Sequence, residues 1–369
     1  MSSFLQSLKI NNLLSFGPDS PTMEFGPLNV IIGPNGSGKS NLFDVMALLK
    51  NAPGPSSIDV PIYESGCPLK EWLWKSKEGE LSAANIEAIV STEEMPIYYD
   101  ITFHDQDNKF AITKETIKTD QGISFFPDPS VHDFTVRHGS LLYFCDRKIL
   151  EENKLVDFYR GIYIYNNWTF GRKSPLRLLQ NAHLPDKWLN ENGDNFGVVL
   201  RRIKNHPETY QCYLDYLKQL YEGVDDFVIA EYDDGTLRVY LMEGERRIHA
   251  ARLSDGTLRY MMLLAVLCDP EPSPLICIEE PEMGLHPDLI MVMGDALKYA
   301  SERTQVIVTT HSIRLVDCFN DSPEAIQVCE KHDGSTIIER LDPEYLKPWL
   351  EKYRLGELWT RGGIGGNRW

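Results

Sequence analysis

Apolar and polar positions alternate along the last third of the chain in a way that predicts a layered α/β fold. Leu275–Ile278 and Gln305–Thr309 are short, mostly apolar runs, typical of strands that are buried on both faces of a parallel sheet. Helical spacing of apolar residues predicts helices over Thr257–Leu267 and Asp288–Ala300. Strands that alternate with helices predict a parallel central sheet.

The first half of the chain has more strand-like patterning. A short antiparallel start is expected to lead into the apolar strand Leu28–Ile32 and a following helix. Ile97–Phe103 and Phe110–Thr113 flank a polar turn and predict paired strands. Further strands are predicted at Ser140–Cys145 and Ile162–Tyr165. We therefore expect an antiparallel β subdomain beside the central sheet.

The middle of the chain predicts helices over residues 172–221 and then a hairpin, Phe227–Tyr232 with Leu237–Met242. A closing hairpin is predicted from Ala325–Cys329 and Thr336–Leu341. Without sustained heptads, long coiled-coil arms are not expected. The predicted domains are an N-terminal lobe (1–170), a helical insertion with a hairpin (171–250), a C-terminal lobe (251–341) and a tail (342–369).

Composition fits a soluble protein with a substantial core, since 42% of the 369 residues are hydrophobic and 25% are charged. No apolar run is long enough for a membrane span, and the start lacks the layout of a signal peptide, so we expect a cytoplasmic protein without membrane contact. Seven scattered cysteines without zinc-site spacing predict free thiols in a reducing compartment.

The net charge of −17 argues against non-specific DNA binding by the chain alone, because neutralisation of phosphates by basic residues supplies most of that affinity. Two small basic clusters are interpreted as solvated surface charges. Nucleic acid is therefore expected to be reached only through an assembled complex. The clusters are Arg172, Lys173 and Arg177, and Arg201, Arg202 and Lys204.

The segment Gly33–Ser40, which we name the phosphate loop, has the pattern G-x-x-x-x-G-K-S directly after the strand Leu28–Ile32. Its glycines allow backbone N–H groups to surround phosphate oxygens. Lys39 can reach the β- and γ-phosphates, and the Ser40 hydroxyl can ligate Mg²⁺. The predicted nucleotide-binding residues of the loop are Gly33, Asn35, Gly36, Ser37, Gly38, Lys39 and Ser40.

Two adjacent carboxylates, Glu279 and Glu280, end the predicted strand Leu275–Ile278, at the edge where open α/β sheets bind ligands. Glu279 can hold Mg²⁺ through water, and Glu280 can polarise a water for attack on the γ-phosphate. Because neighbouring carboxylates repel each other, a metal ion or a cationic partner is expected beside them. An exposed acidic loop is the alternative for this pair taken alone.

Two further segments complete the candidate chemistry. Leu253–Thr257, the signature segment, places Ser254 and Gly256 at the start of an apolar helix, where they form either an anion site or a simple helix cap. His311 follows the strand Gln305–Thr309, and its imidazole can donate to a γ-phosphate oxygen.

In chain order, the phosphate loop, the signature segment, the carboxylate pair and the histidine segment resemble the motifs of ABC-type ATPases of the SMC, RecF and OLD group, most closely the compact branch labelled AAA-21. The resemblance covers about residues 1–50 and 250–315. It implies an ABC-ATPase head that binds ATP and Mg²⁺, with Ser40 and Glu279 at the metal and Glu280, His311 and Lys39 as catalytic residues. Glu279 stands where the family usually has Asp.

The resemblance also implies an ATP-dependent homodimer. Ser254 and Gly256 would contact the nucleotide held by the other protomer, and Gly284–Asp288, the crossing loop, would lie at the dimer contact. The glutamine that couples nucleotide to metal in related enzymes is not placed. Its candidates are Gln106, Gln121 and Gln180.

Three functions follow from this resemblance. The first is a regulatory ATPase of prokaryotic anti-phage defence, similar to Septu and PARIS systems, that controls a separate effector, expected to be a nuclease. In that role the tail would dock the effector through Trp349, Trp359 and Trp369, unless the tail folds on its own lobe.

The second function is that of a RecF-like repair ATPase that clamps DNA directly. The third, a transporter motor, is disfavoured by the long Lys39–Ser254 separation and by Asp255 in the signature segment.

Overall fold

The structure, a computed structural model, describes residues 3–54, 58–75, 83–107, 109–119, 124–125, 139–144, 150–166 and 168–366. Strands in these residues form three sheets. The strands are β1 (Ser3–Asn11), β2 (Met23–Glu24), β3 (Leu28–Ile32), β4 (Ala84–Thr92), β5 (Pro96–Gln106), β6 (Lys109–Thr119), β7 (Ser124–Phe125), β8 (Ile162–Tyr165), β9 (Gln180–Asn181), β10 (Val224–Glu231), β11 (Thr236–Glu243), β12 (Arg246–His249), β13 (Leu275–Glu279), β14 (Gln305–Thr310), β15 (Ile326–His332) and β16 (Ser335–Arg340). The helices are α1 (Lys39–Asn51), α2 (Val60–Glu64), α3 (Leu69–Trp72), α4 (Leu141–Phe144), α5 (Leu150–Arg160), α6 (Phe196–Lys204), α7 (Pro207–Leu217), α8 (Asp255–Leu267), α9 (Pro287–Ser301), α10 (Ile313–Asp317), α11 (Pro343–Leu350) and α12 (Leu355–Thr360).

The central sheet has the strand order β16-β15-β3-β14-β13-β8. Neighbours from β8 to β15 are parallel, and β16 adds an antiparallel edge. Every residue of β3 and β14 is buried, as expected for strands covered on both faces. The predicted central sheet is confirmed, and it joins residues from both predicted lobes, whose boundaries stay a prediction.

Two hydrophobic cores lie on opposite faces of this sheet. Val30 and Val308 point into one core, which contains the buried faces of α6, α7, α8 and α9. Ile31 and Ile307 point into the other, together with α1 and the inner faces of β1, β4, β5 and β6. Successive strand residues thus alternate between two cores, which fixes the sheet in the middle of a layered structure.

The predicted antiparallel β subdomain is confirmed as a sheet with the order β2-β1-β4-β5-β6-β7. In β4, buried positions alternate with exposed or half-buried ones, the pattern of a strand with one face on a core. The predicted hairpin around Asp234 is also confirmed, as β10 and β11, and β12 and β9 pair with β11.

Gln305 joins the two large sheets. Its side chain is fully buried, accepts from the backbone N–H of Leu5 at 2.8 Å, and donates to the carbonyl oxygens of Leu5 at 2.8 Å and Gly26 at 3.0 Å. A buried amide that satisfies two backbone groups of β1 and one of the β2–β3 connection fixes how β1 lies against β14.

Two predictions about the middle of the chain were wrong. Ser140–Cys145 is not a strand, because Leu141–Phe144 forms the short helix α4; Cys145 lies outside the described residues. Residues 172–221 are helical only in α6 and α7, and their earlier part holds a 3₁₀ turn, Pro175–Arg177, and the short strand β9. Tertiary contacts override local propensity in both places.

The tail folds on its own chain as far as Gly366. Leu355 and Trp359 are buried, and the Gly366 N–H donates to Glu330 on β15 at 2.6 Å. This confirms the alternative of a folded-back tail and excludes buried Trp359 as a free docking anchor. Trp349 is 50% exposed, whereas Trp369 lies outside the described residues.

The six described cysteines are free thiols, as predicted. Among the described residues, no helix combines the length and apolar character that crossing a membrane requires.

Replacement of Gln305 by Leu tests the joint between the sheets. Gln305→Leu leaves the buried N–H of Leu5 and two carbonyl oxygens without their partner, so we expect a loss of about 2–4 kcal/mol in the free energy of unfolding. Denaturant titration of purified protein measures it. The exposed Gln219→Leu is the matched control and should change stability by less than about 0.5 kcal/mol. Equal losses of unfolding free energy in Gln305→Leu and Gln219→Leu would contradict the role of Gln305 as the joint between the sheets.

Candidate functional site

The ends of three neighbouring strands bring the predicted site residues to one sheet edge. In the register of the central sheet, Ile32 is opposite Thr310, and Thr309 is opposite Glu279. The phosphate loop follows β3, Glu280 follows β13 and His311 follows β14. Three of the four predicted segments, the phosphate loop, the carboxylate pair and the histidine, therefore share the edge formed by the carboxyl ends of parallel strands.

Lys39 is the cation at the centre of the phosphate loop. It is 6% exposed, and its Nζ donates to the carbonyl oxygens of Gly33 at 2.9 Å and Pro34 at 3.0 Å. Burial lowers the pKa of Lys39, while the charges of Glu280 and Glu279 oppose that shift. The ammonium is thus a buried, poorly solvated charge beside backbone donors, which favours binding of an anion there.

The remaining loop residues form its wall and rim. Asn35 and Gly36 are exposed, whereas Ser37 is buried and its carbonyl accepts from Thr336 Oγ1 at 2.6 Å. Gly38 is the N-cap residue directly before α1 and has a φ of 111°. A Cβ at this position would collide with the side chain of Thr336. The hairpin β15–β16 therefore shapes the loop from outside and requires glycine at that position.

Ser40 and Glu279 are direct partners, since the Ser40 hydroxyl donates to the Glu279 carboxylate. Asp44 lies on the same helix one turn later, and burial together with the charge of Glu279 raises its pKa to about 6. Oxygen ligands with excess negative charge suit Mg²⁺, which proteins usually hold with one or two carboxylates plus substrate phosphates. Ser40 and Glu279 fit that role; among the described residues, no group of three or more His, Cys, Asp or Glu could hold a metal ion by itself.

Glu280 and His311 form the second pair at the edge. His311 Nε2 lies 3.6 Å from Glu280 Oε1, and both side chains are about one-third exposed. Glu280 has a φ of 46°, a left-handed conformation that is strained for a residue with a side chain and is found most often at functional positions. Burial and the charge of Lys39 lower the pKa of His311, so the neutral imidazole is the form present at pH 7.

Glu282 holds the histidine segment, although sequence reasoning assigned it no role. Its Oε1 accepts from Thr310 Oγ1 at 2.5 Å and from the N–H of His311 at 3.1 Å, and burial raises its pKa. The signal in the sequence that could have identified Glu282 is its position two residues after Glu280. Glu282 fixes the backbone that carries the imidazole.

The signature segment is exposed at the start of α8. Ser254 caps the helix, since its Oγ accepts from the Thr257 N–H at 3.0 Å, so the predicted cap exists. Gly256 lies against the crossing loop, where a Cβ would collide with the carbonyl oxygen of Gly284. In the described part of the chain, the hydrogen bonds of Ser254 stay within its own helix, and none leads to the phosphate loop. The cap does not compete with a ligand at the other N–H groups of the helix start.

Arg177 organises the signature segment, although the sequence analysis interpreted it as a solvated charge. Its side chain is 9% exposed, pairs with Asp255, and donates to the carbonyl oxygens of Leu253 at 2.7 Å and Ala251 at 3.1 Å. That interpretation was wrong for Arg177, because sequence proximity to Arg172 and Lys173 suggested a surface cluster while its partners in the signature segment lie more than 70 residues away.

The second basic cluster is compensated by acids. The ion pairs join Arg201 to Glu231, Arg202 to Asp269 and Lys204 to Asp226.

The structure places two of the three candidates for the glutamine that couples nucleotide to metal. Gln106 is exposed at the end of β5, and Gln121 lies outside the described residues. Gln180 is buried and accepts from the Gly197 N–H at 2.6 Å, a structural role away from the carboxylates.

Comparison with known proteins was made on sequence and on structure. The family model AAA_21, described as "AAA domain, putative AbiEii toxin, Type IV TA system", matches residues 28–317. The Old nuclease of Escherichia phage P2 is 28% identical over 181 residues, which is 43% of this chain and 30% of that protein. An uncharacterized protein of Methanocaldococcus jannaschii is 43% identical over 61 residues, 16% of this chain and 8% of that protein. The chain thus spans less than a third of the length of these relatives.

Solved structures of SMC head domains share the fold. A crystal structure of an Smc head bound to the C-winged helix domain of ScpA has a TM-score of 0.63 and 14% identity, and covers 94% of this chain and 99% of that one. A Pyrococcus furiosus Smc head with an extended coiled coil, bound to the C-terminal domain of ScpA, has a TM-score of 0.60, 14% identity and coverage of 95% and 99%. The expected ABC-ATPase head fold is confirmed.

Replacement of Asp44 by Asn tests the negative charge at the sheet edge. A carboxyl whose pKa is raised to about 6 in the folded state stabilises that state only at low pH, and the contribution is lost as pH rises through about 6. Asp44→Asn should therefore stabilise the nucleotide-free protein at pH 8, on the order of 2 kcal/mol, and the gain should shrink toward pH 5. Denaturant titrations at pH 8 and pH 5 measure it, with the exposed Asp321→Asn as control. A gain that does not depend on pH would contradict the electrostatic origin.

Proposed function

The chain belongs to the AAA_21 family, and on that premise we propose that it is an ABC-type switch ATPase that closes head-to-head with a second copy around ATP. The observation that carries this proposal is the convergence of Lys39, the Ser40–Glu279 pair and the Glu280–His311 pair on one sheet edge. The reaction is hydrolysis of ATP to ADP and phosphate. The family membership supports nucleotide binding, and the site geometry supports the chemistry.

Each residue of the edge has a distinct role in this proposal. Glu280 orients and polarises the attacking water, and Lys39 compensates the charge of the β- and γ-phosphates. Neutral His311 donates a hydrogen bond to a γ-phosphate oxygen. Ser40 and Glu279 would hold Mg²⁺, which would supply positive charge to offset the negative charge that develops on the phosphate oxygens.

The signature segment supplies the reason for a dimer. Ser254 and Gly256 lie at the exposed N-terminus of the 13-residue helix α8, whose dipole and free N–H groups favour an anion. The phosphate loop already provides such a site in the same chain, so the signature segment is available for the nucleotide of another copy. The exposed crossing loop, Gly284–Asp288, packs beside it and belongs to the same contact surface. Each copy then holds only part of two composite sites.

The proposed biological role is control of a separate effector protein, a nuclease, in prokaryotic anti-phage defence in the cytoplasm. The similarity to the Old nuclease of phage P2 supports a link to nuclease systems, and 70% of that protein lies outside the 30% aligned here. The Smc heads bound to ScpA domains are examples of this fold in complex with a partner protein.

A RecF-like clamp that holds DNA directly has less support. The net charge is −17, and the basic residues Arg201, Arg202 and Lys204 are engaged by carboxylates of the same chain. Affinity for the DNA backbone would require free positive charge.

Replacement of Glu280 by Gln tests the composite site. Gln keeps the size of the side chain but cannot accept a proton, so Glu280→Gln should bind ATP, remain dimeric and hydrolyse at a rate reduced by about 100-fold or more. Light scattering after size-exclusion chromatography, with and without Mg²⁺–ATP, measures the dimer, and phosphate release measures turnover.

Lys39→Ala is the matched control, because it removes the cation that faces the phosphates and should weaken nucleotide binding and abolish the ATP-dependent dimer. A Glu280→Gln protein that has the same size with and without ATP would contradict the dimer. A single wild-type copy with full activity at high dilution would contradict the shared site.

Purification of the native chain from its host with and without ATP tests the role. We expect a stoichiometric second protein, and DNA binding by the pure ATPase that is weak and abolished near physiological salt. Fluorescence anisotropy with a labelled DNA duplex across a salt series measures the DNA binding. Tight, strongly salt-dependent DNA binding by the ATPase alone would favour the clamp instead.

A further inference from the structure

Arg259 is a buried arginine on the signature helix, and the motifs give it no role. It lies on α8, five residues after Ser254, and is 8% exposed although the helix start is exposed. A buried guanidinium is retained where it makes specific hydrogen bonds, because its desolvation is costly. Its partners therefore indicate what it does.

The guanidinium reaches the backbone of the catalytic segment. Arg259 Nη2 donates to the carbonyl oxygen of Glu280 at 2.8 Å and to that of Glu279 at 3.2 Å. The ring of Trp168 lies 5.6 Å from its central carbon and supports the flat side of the group. One residue thus connects the start of the signature helix to the end of β13.

The bonded carbonyl belongs to a strained residue. Glu280 has a φ of 46°, so its peptide orientation must be held by surrounding contacts. Its N–H donates to the carbonyl oxygen of Thr309 at 2.9 Å, and Arg259 holds the other end. The charges of Glu282, Glu280 and Glu279 oppose the effect of burial, which lowers the pKa of Arg259, and the guanidinium stays charged at any physiological pH.

These contacts join two functions that belong to different nucleotides in the proposed dimer. The signature segment of one chain faces the ATP bound by the other chain, whereas Glu280 of the same chain faces its own ATP. We propose that Arg259 is a positioning residue that couples the two composite sites: engagement of the signature helix by the partner's ATP sets, through the Arg259 guanidinium, the orientation of the Glu280 carboxylate at the chain's own ATP. This inference rests on the proposed composite dimer.

Coupling of this kind has a definite signature in kinetics. The two sites influence each other through one rigid helix and one pair of hydrogen bonds, so binding at one site changes the catalytic geometry of the other. Loss of the bonds should leave nucleotide affinity of the separate chain unchanged, because Arg259 does not contact the phosphate loop. It should lower the turnover rate and the cooperativity, since a displacement of about 1 Å at a catalytic group costs on the order of 100-fold in rate.

Arg259→Gln and Arg259→Lys are the test variants. Both hydrogen bonds come from the same nitrogen, Nη2. Gln lacks the charge and is shorter, whereas Lys keeps the charge but ends short of the position of Nη2 and lacks the flat guanidinium face that lies against Trp168. We expect the affinity for a fluorescent ATP analogue, measured on dilute protein, to stay within about 2-fold of the wild type. We expect kcat to fall by about 10-fold or more in both variants, and the Hill coefficient for ATP in the hydrolysis assay to fall from above 1 in the wild type to 1.

Arg303→Gln is the matched control. Arg303 is a partly buried arginine that follows α9 and lies at the C-terminal end of α8, where it donates to the carbonyl oxygens of Leu267 at 2.5 Å and of Asp269. Its replacement removes similar bonds from α8 without touching β13. We expect lower thermal stability with kcat and the Hill coefficient unchanged, which separates positioning from a general loss of structure.

The outcomes separate this inference from the proposed function. If Glu280→Gln fails to dimerise with ATP, the composite dimer itself is wrong. If Glu280→Gln dimerises but Arg259→Lys hydrolyses ATP with the wild-type kcat and Hill coefficient, the coupling through Arg259 is wrong. A wild-type Hill coefficient of 1, or the same kinetic change in Arg303→Gln, would overturn it as well. Arg259→Lys keeps the test valid if Arg259→Gln does not fold.

Discussion

The crowding of negative charge at one sheet edge is the constraint on which this structure depends. Glu279, Glu280 and Glu282 lie within four residues at the end of β13, and α1 adds Asp44. Burial and the charge of Glu279 raise the pKa of Asp44, and two buried cations, Lys39 and Arg259, offset the negative charge of this edge. Within the described residues, both cations donate to backbone carbonyl oxygens and neither pairs directly with a carboxylate, which keeps the carboxylates available for the proposed chemistry.

The supports of the site come from distant parts of the chain. The phosphate loop is shaped by Thr336, the histidine segment by Glu282 and the signature segment by Arg177. Each support is a single buried polar group that bonds backbone atoms of the segment it holds. The motifs thus provide the reacting groups, and scattered residues of ordinary type fix their positions.

The strands and helices that carry the candidate site residues were predicted well from the sequence, whereas the residues that hold those segments in place were predicted poorly. β3, β13, β14, α8 and α9 were recognised because long apolar runs and helical periodicity dominate there, and the phosphate loop has a pattern that only a strand–loop–helix can satisfy. Arg177 and Arg259 were missed because their meaning lies in contacts 20 to 76 residues away along the chain. The segment Ser140–Cys145 was misassigned because four apolar residues fit a buried helix as well as a strand.

The dependence of the phosphate loop on Thr336 has a consequence for how the protein is made. Thr336 donates to the carbonyl of Ser37 across 299 residues of sequence, and Gly366 packs beside Gly33 from still later in the chain. During synthesis the loop leaves the ribosome long before either support exists, and domains fold from the N-terminus as they emerge. A nascent or truncated polypeptide consequently lacks the contacts that shape the phosphate loop until the chain has been made as far as Gly366.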